Sequence, residues 1–515
     1  MNQIKTGAII SYIALFLNVV IGLLYTPWMI NTIGKADYGL YTLAMSVISL
    51  FVFDFGLGSA ITRFVSKFLA EERQDKVDSL LGLVFKLYLL GDLVILFSLT
   101  IIYFFLSQIY QGLTLEEMGN FKIVYIIASL FCVISFPFIP LNGIITSYEK
   151  FIQLKSCDLL HKLIVVVLMT GCLIFGGGLF SLVIVNSVAG IVIIFLKLAV
   201  LGRARLTAIK WRYWDKNVLK SVLSFSVWVT VIQLAQRCIF NIAPSILAAF
   251  ATSSAITILG IAICLEGYTF SFANAINGMF LPKVSRMVAS GNRDEILNLM
   301  TRIARIQIYI IGLICVGFIC IGRDFIQLWL GNGYDEVYVC ALLIILPSFL
   351  QLPQEIGNTT VIAEGKVKLQ AYAFMLMAAI NLVLSYPMTK YYGVVGLCGS
   401  IMIAYIVRTI MMDYIYYKTL HINSYIKILP SLLLHINIIT FFINSYIKIL
   451  PSLLFITAIC LLFNRYYIIQ TGWTGFIIKT IAYTSCYLFS IWFLAMNKSE
   501  KELFSVPIKK ILKIR

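Results

Sequence analysis

Apolar runs of about eighteen or more residues recur along the whole chain, separated by short polar connections. One helix needs about 20 such residues to cross about 30 Å of hydrocarbon. The pattern predicts roughly fourteen spans. They lie near 9–30, 38–62, 79–106, 121–146, 160–177, 179–201, 218–243, 255–280, 300–322, 336–360, 369–390, 393–416, 449–463 and 475–496. The longest polar connections reach only about fifteen residues, too few to fold as a separate domain. The first run follows Lys5 as a signal peptide would. It continues to about residue 30, however, and no small-residue cleavage site follows, so it is expected to stay as the first span.

The connections alternate in charge. Arg63, Lys67, Arg73 and Lys76 follow the second span, and Lys150, Lys155 and Lys162 follow the fourth. Arg203, Arg205, Lys210, Arg212, Lys216 and Lys220 follow the sixth, Lys283, Arg286 and Arg293 the eighth, and Lys366 and Lys368 the tenth. The tail is basic again from Lys498 to Arg515. The other set of connections is nearly bare: "SQIYQGLTLEEMGN" has no Lys or Arg, and "FGGGLF" and "APSILAAFATSSA" have no charge at all. Lys/Arg bias sets topology, so even-numbered spans are expected to end in the cytoplasm, with both termini cytoplasmic.

Composition agrees with lipid as the solvent. The chain is 61% hydrophobic and 12% charged, against about 25% charged in a soluble domain. The net charge of +17 is accounted for by the basic connections and by membrane lipids with anionic headgroups, without nucleic acid. The eleven cysteines lie singly, no C-x-x-C occurs, and His161, His421 and His435 form no metal motif. Packing is the reading for the cysteines, and no metal or other cofactor is expected.

Two repeats stand out. "ITRFVSKFLAEERQDKV" after the second span pairs with "LPKVSRMVASGNRDEI" after the eighth, and "TSYEKFIQLK" pairs with "IAEGKVKLQ". The common offset of roughly 215–220 residues predicts two related six-helix lobes, 1–217 and 218–417, with further helices over 418–515. The second repeat is exact: "INSYIKILPSLL" stands at 422–433 and again at 443–454. Its first copy either lies in the membrane interface or adds a span; the basic tail favours the interface.

Polar residues inside the spans fall on faces. Ser226, Thr230, Gln233, Gln236, Arg237 and Asn241 share one sector of span seven. Glu266, Thr269 and Asn277 do so in span eight, Ser11, Asn18 and Tyr25 in span one, and Gln351, Gln354, Glu355, Asn358 and Thr359 in span ten. Asp54, Gly58 and Ser46 lie near one face of span two, where "DFGLG" interrupts the apolar run. Helix–helix hydrogen bonding explains many such stripes and is preferred for Asn18. Arg237 is different, because a guanidinium stays ionised and needs a counter-ion, a phosphate or water at depth. Glu266, Asp54 and Glu355 are its candidate partners, and a structural pair weighs as much as a cargo role. Asp54 cannot face lipid cheaply, Gly56 and Gly58 permit a bend or close approach, and Arg63 stands where the helix leaves the membrane, either to meet a headgroup first or to anchor the helix end by snorkelling.

"PWMINTIGKADYGLYTLAMSVISLFVFDFGLGSAITRFVSKF", with "LPKVSRMVASGNRDEI", "IGRDFIQLWLGNGYDE" and "YGVVGLCGSIMIAY", resembles the polysaccharide-transport branch of the MOP (MATE-like) exporter superfamily, the Wzx-type O-antigen and oligosaccharide flippases. The resemblance runs over roughly residues 1–415, and the 21-residue duplication departs from the pattern. It implies an all-α polytopic membrane protein of the bacterial inner membrane, with two pseudo-symmetric six-helix lobes around a central cavity plus a C-terminal helix pair. It further implies a lipid-linked oligosaccharide as cargo, Na+ or H+ as coupling ion, and the polymerase and chain-length machinery of the same pathway as partners. Arg237, Arg63, Asp54, Glu266, Gln233, Asn277, Glu355 and Asn18 are the cavity candidates. A multidrug exporter of the same superfamily is the nearest alternative, although the mixed sign of those residues suits a phosphate better than a cation. A membrane polymerase or glycosyltransferase is the other, but the outer connections are short, and no paired carboxylates or phosphate loop stand at a membrane boundary.

Overall fold

The computed structural model describes residues 3–52, 55–203, 215–277, 280, 284, 286–288, 290–291, 293–420, 443–466, 472–497 and 500–502, and these form helices and turns with no strand among them. Seventeen α-helices carry the fold here: α1 Gln3–Ile33, α2 Lys35–Phe51, α3 Leu57–Ala70, α4 Gln74–Ile109, α5 Leu115–Ser135, α6 Leu141–Ser147, α7 Phe151–Ile174, α8 Leu179–Arg203, α9 Lys216–Phe240, α10 Ala243–Ala248, α11 Ser253–Asn277, α12 Arg293–Leu330, α13 Asp335–Gln351, α14 Glu355–Ala363, α15 Val367–Leu420, α16 Leu450–Tyr466 and α17 Trp473–Ser490. Every expected span falls on one of these, or on two in succession where a helix breaks. Among the described residues, ten stretches are long and apolar enough to cross a membrane. The chain is a multi-pass, all-helical membrane protein.

α15 has 54 residues. At 1.5 Å per residue it would measure about 80 Å, far more than one crossing. Gly393, at φ 58° and ψ −138°, turns the chain there and makes two spans of it. Lipid-facing surface is plain on α4, where Leu90, Leu93, Phe97 and Phe104 are exposed.

Four of the spans expected as single helices are broken, which corrects the face arithmetic applied to them. Span two stops at Phe51 and resumes at Leu57, with Phe55 (φ 49°) and Gly56 (φ 66°) in left-handed conformation. Its helical period does not carry across the break, so Ser46 and Gly58 cannot be assigned one face. Pro137 and Pro140 open span four through a 3-10 turn at Phe136–Phe138. Span seven ends at Phe240, so Asn241 falls out of the α9 sector. Pro353 opens span ten through the 3-10 turn Leu352–Gln354. Proline removes a donor and clashes with the preceding turn.

The breaks and left-handed residues recur at the internal offset. Pro137 and Pro353, Glu149 and Gly365, Glu72 and Gly291, and Gly176 and Gly393 each stand roughly 215–220 residues apart. In the last three pairs a residue of positive φ ends a helix or turns the chain.

The chain divides into two compact units, one of residues 1–263 with 367–404 and one of residues 264–366 with 405–515. In the first, α7 packs on α8 and α1, α2 on α5, and α3 on α6. The second is organised on α12. α17 runs antiparallel to it: Lys479 lies 2.6 Å from Asp324, Tyr483 donates to the Leu313 carbonyl at 2.8 Å, and Tyr487 donates to the Tyr309 carbonyl at 2.8 Å. α16 runs parallel to α12, with Leu453 beside Gly312 and Cys460 beside Cys320. The second copy of the exact repeat forms a π-helical turn at Ile443–Ile447 and the start of α16. The first copy lies outside the described residues.

Candidate functional site

In the first unit the polar face of α9 meets the break in span two. The break leaves carbonyls without helical partners, a costly state inside a membrane. Thr230 donates to the carbonyl of Phe55, and Ser226, one turn earlier, to that of Gly56 at 3.3 Å. A side chain at Gly56 would place Cβ 2.7 Å from the Ser226 carbonyl, so the glycine supplies both the turn and the close approach. Gly58 meets Gly143 of α6 as closely, and Thr62 bonds the Gly143 carbonyl at 3.3 Å. Two of the six residues of the span-seven stripe, Ser226 and Thr230, are therefore helix–helix glue. Gln233 and Arg237 continue the same face toward the end of α9 and are half-buried. The neighbouring carbonyl, that of Cys238, accepts from Asn381 at 3.1 Å. Asn381 is in turn held by Ser385 and Ser400, all three fully buried.

In the second unit the Pro353 break gathers charge. Gln354 and Glu355 sit where α13 gives way to α14, with Glu355 in the first turn of α14, where a helix dipole favours a carboxylate. Asn358 donates to Glu355 at 3.0 Å. Arg408 of α15, 3% exposed, stands within electrostatic reach of Glu355. Asp413, further along α15, lies beside Gln354. Glu266 of α11, 7% exposed, accepts from Ser348 of α13 at 3.5 Å, and Tyr405 stands within reach of both Glu266 and Arg408. Glu355 thus faces one buried guanidinium, and Tyr405 and Tyr416 link that pair to Glu266 and Asp413. Such groups are retained at membrane depth for pairing or for a cargo or ion path.

The structure brings Glu266 and Glu355 into one polar cluster, and Arg237 and Gln233 onto one helix face in the other unit. Asp54 lies outside the described residues, as do the side chains of Arg63, Asn277 and Asn18. Arg408 and Asp413 were missed. Their signal was visible as two ionisable residues in the apolar run "IAYIVRTIMMDYIYY".

The comparisons with known proteins agree on the class. The family described as "Polysaccharide biosynthesis protein" matches residues 4–288, more than half of the chain. The capsular polysaccharide biosynthesis protein CapF of Staphylococcus aureus is 24% identical over 145 residues, which is 28% of this chain and 37% of that relative's length. In fold, the chain is similar to the lipid II flippase MurJ in an inward closed conformation, with a TM-score of 0.68 at 15% identity over 94% of this chain and 98% of that one. It is also similar to an inward-facing multidrug resistance MATE family transporter of the MOP superfamily, with a TM-score of 0.65 at 13% identity over 80% of this chain and 98% of that one. At such identities the two structures speak for the fold alone, and the family match carries the class. The chain belongs to the Polysaccharide biosynthesis protein family, with the MATE- and MurJ-like fold of the MOP superfamily transporters.

Proposed function

We propose that this protein flips an undecaprenyl-pyrophosphate-linked oligosaccharide from the cytoplasmic to the outer leaflet of the bacterial inner membrane, for O-antigen or capsule synthesis. Sugar hydroxyls cannot cross hydrocarbon unaided. Two six-helix lobes, 1–217 and 218–417, rocking about a polar path would carry the headgroup while the lipid tail stays in the bilayer. The recurrence of helix breaks and left-handed residues at one offset supports that duplication. Both termini are assigned to the cytoplasm. The polymerase and chain-length machinery of the pathway are the natural partners.

The observation that carries the reading is Arg237, a permanent cation inside a membrane span of a polysaccharide-biosynthesis family member. Arg63, Asp54, Gln233, Asn277 and Asn18 are assigned to the same polar path. Arg237→Gln is expected to leave protein level and insertion unchanged and to abolish surface-polysaccharide output. Arg237→Lys is expected to recover only part of it, since an ammonium lacks the bidentate fork. Full output from Arg237→Gln would overturn the assignment.

The carboxylate cluster of the second unit supports coupling to Na+ or H+, because Glu266, Glu355 and Asp413 outnumber Arg408. A multidrug exporter would share that feature. It bears on the energy source and leaves the cargo to Arg237.

A further inference from the structure

The basic residues behind the fourth span converge in space. Lys197 of α8 donates to the Asn142 side-chain oxygen of α6 at 2.9 Å and lies 3.3 Å from the Asp158 carboxylate of α7. Lys155, one turn earlier on α7, lies 3.6 Å from the other Asp158 oxygen. His161 and Lys162 also stand within electrostatic reach of Asp158, and His161 within reach of Lys197. One carboxylate therefore faces three lysines and a histidine. The Lys197 side chain is only 13% exposed. The His161 Nε2 atom is buried and has no hydrogen-bond partner among the described residues.

An excess of cations partly withdrawn from water is costly unless an anion completes it. Depth and surroundings indicate which anion. Lys155 to Lys162 occupy the first three turns of α7, roughly 6–17 Å from its start at 1.5 Å per residue, which is where lipid headgroups lie against a membrane helix. Leu160, Leu163 and Val167 of the same helix are exposed, an apolar surface suited to a hydrocarbon tail just beyond the charged turns. Basic pockets between membrane helices on the cytoplasmic side suit lipid phosphates.

We propose that Lys155, His161, Lys162 and Lys197, with the Asn142 amide, form a binding site for the phosphate group of an anionic lipid. Asp158 holds Lys155 and Lys197 in position and leaves the surplus charge for the ligand. Asn142 accepts from Lys197 through its oxygen and keeps its NH2 for a phosphate oxygen. The site does not depend on the transport reading. Its ligand is either a resident phospholipid or the phosphate of a lipid-linked cargo, and the two can be told apart.

The test is retention of added lipid by the full-length protein in detergent, read by native mass spectrometry. The probes are cardiolipin, undecaprenyl diphosphate and inorganic phosphate. Lys155→Gln and Lys197→Gln are each expected to weaken lipid retention by about fivefold, the effect of one cation at a membrane surface. Lys76→Gln, a surface cation elsewhere, should leave it unchanged. Weakening for both lipids identifies a general phosphate-lipid site, and weakening for undecaprenyl diphosphate alone identifies a cargo site. Lys155 is 43% exposed, so its replacement tests binding even if Lys197→Gln lowers protein yield. Equal retention by wild type and Lys155→Gln, or retention of inorganic phosphate with no preference for either lipid, would overturn the proposal.

Discussion

At the scale of single residues, buried charge decides most. Arg408 is buried within electrostatic reach of Glu355, and Tyr405 and Tyr416 link the pair to Glu266 and Asp413. Removing one member of a buried pair leaves an uncompensated charge, commonly costing about 3–5 kcal/mol. Arg408→Gln is expected to lower the amount of folded protein, and Arg408→Gln with Glu355→Gln to restore part of it; fluorescence-detected gel filtration reads both. No restoration would show that Arg408 serves other partners.

A second buried pair fastens the chain after the last span. Arg305 of α12 donates to both oxygens of Glu500, at 2.5 and 3.1 Å, and Tyr309 and the Asn497 amide complete the carboxylate at 3.0 and 2.9 Å. Burial pushes the Glu500 carboxyl up, but the hydrogen bonds from Arg305, Asn497 and Tyr309 outweigh it and hold the group below the usual carboxylate range. A depressed folded value means stability that is present above the unfolded value, about 4.3, and lost as pH falls through the lower folded one. Protease nicking near residue 500 should therefore stay constant from neutral pH to about 5 and rise only below about 4. A rise already between pH 7 and 5 would contradict the pairing. Periodicity could not reveal this network, because Arg305 and Glu500 are 195 positions apart. Glu266 and Glu355 were legible as costly charges; their partners Ser348 and Arg408 depend on packing that no single helix encodes.

At the scale of elements, helices were legible and their breaks were only half so. "DFGLG" announced a bend, and Pro353 stood in plain view, yet hydropathy windows run smoothly over both. The break at Phe55–Gly56 is stable because α9 supplies Ser226 and Thr230 to its carbonyls. Gly56→Ala should cost more than Gly34→Ala. Both residues have positive φ, a strain of about 1–3 kcal/mol for an L side chain. Only the Gly56 side chain would strike another helix, since a Cβ at Gly34 meets nothing within 4 Å. Melting temperatures in detergent compare the two, and equal losses would show that α9 does not press on the break. The exact repeat is the other element-level feature. α16 runs parallel and α17 antiparallel to α12, and Tyr446 donates to the Leu350 carbonyl at 2.9 Å, so the second copy is tied into the second unit. Deleting residues 422–442 leaves one copy of "INSYIKILPSLL". That variant is expected to insert normally with its C-terminus on the same side, read by a C-terminal reporter active on only one face. A switched reporter would make the first copy a genuine span.

At the scale of the whole molecule, Lys/Arg bias assigns the connections after even-numbered spans to the cytoplasm. Cysteines replacing Lys216 and Lys366, in a background without the native ones, should resist membrane-impermeant thiol reagents in intact cells, and one replacing Glu116 should label. Labelling at 216 would reverse the orientation. The all-helical, multi-span fold and the family were legible from apolar runs and quoted motifs. The cargo was not, because sugar recognition rests on side chains from many spans whose mutual placement is a property of the folded molecule. The central claim is transport of a lipid-linked oligosaccharide. Its most direct test is reconstitution of the purified protein in proteoliposomes loaded with a labelled polyprenyl-pyrophosphate oligosaccharide, scored by the sugar's exposure to an external glycosidase under an imposed Na+ or H+ gradient. Faster exposure than in protein-free vesicles, lost in Arg237→Gln, with no movement of a cationic dye, is the predicted result. Dye efflux with no gain in sugar exposure would contradict it and make the protein a multidrug exporter.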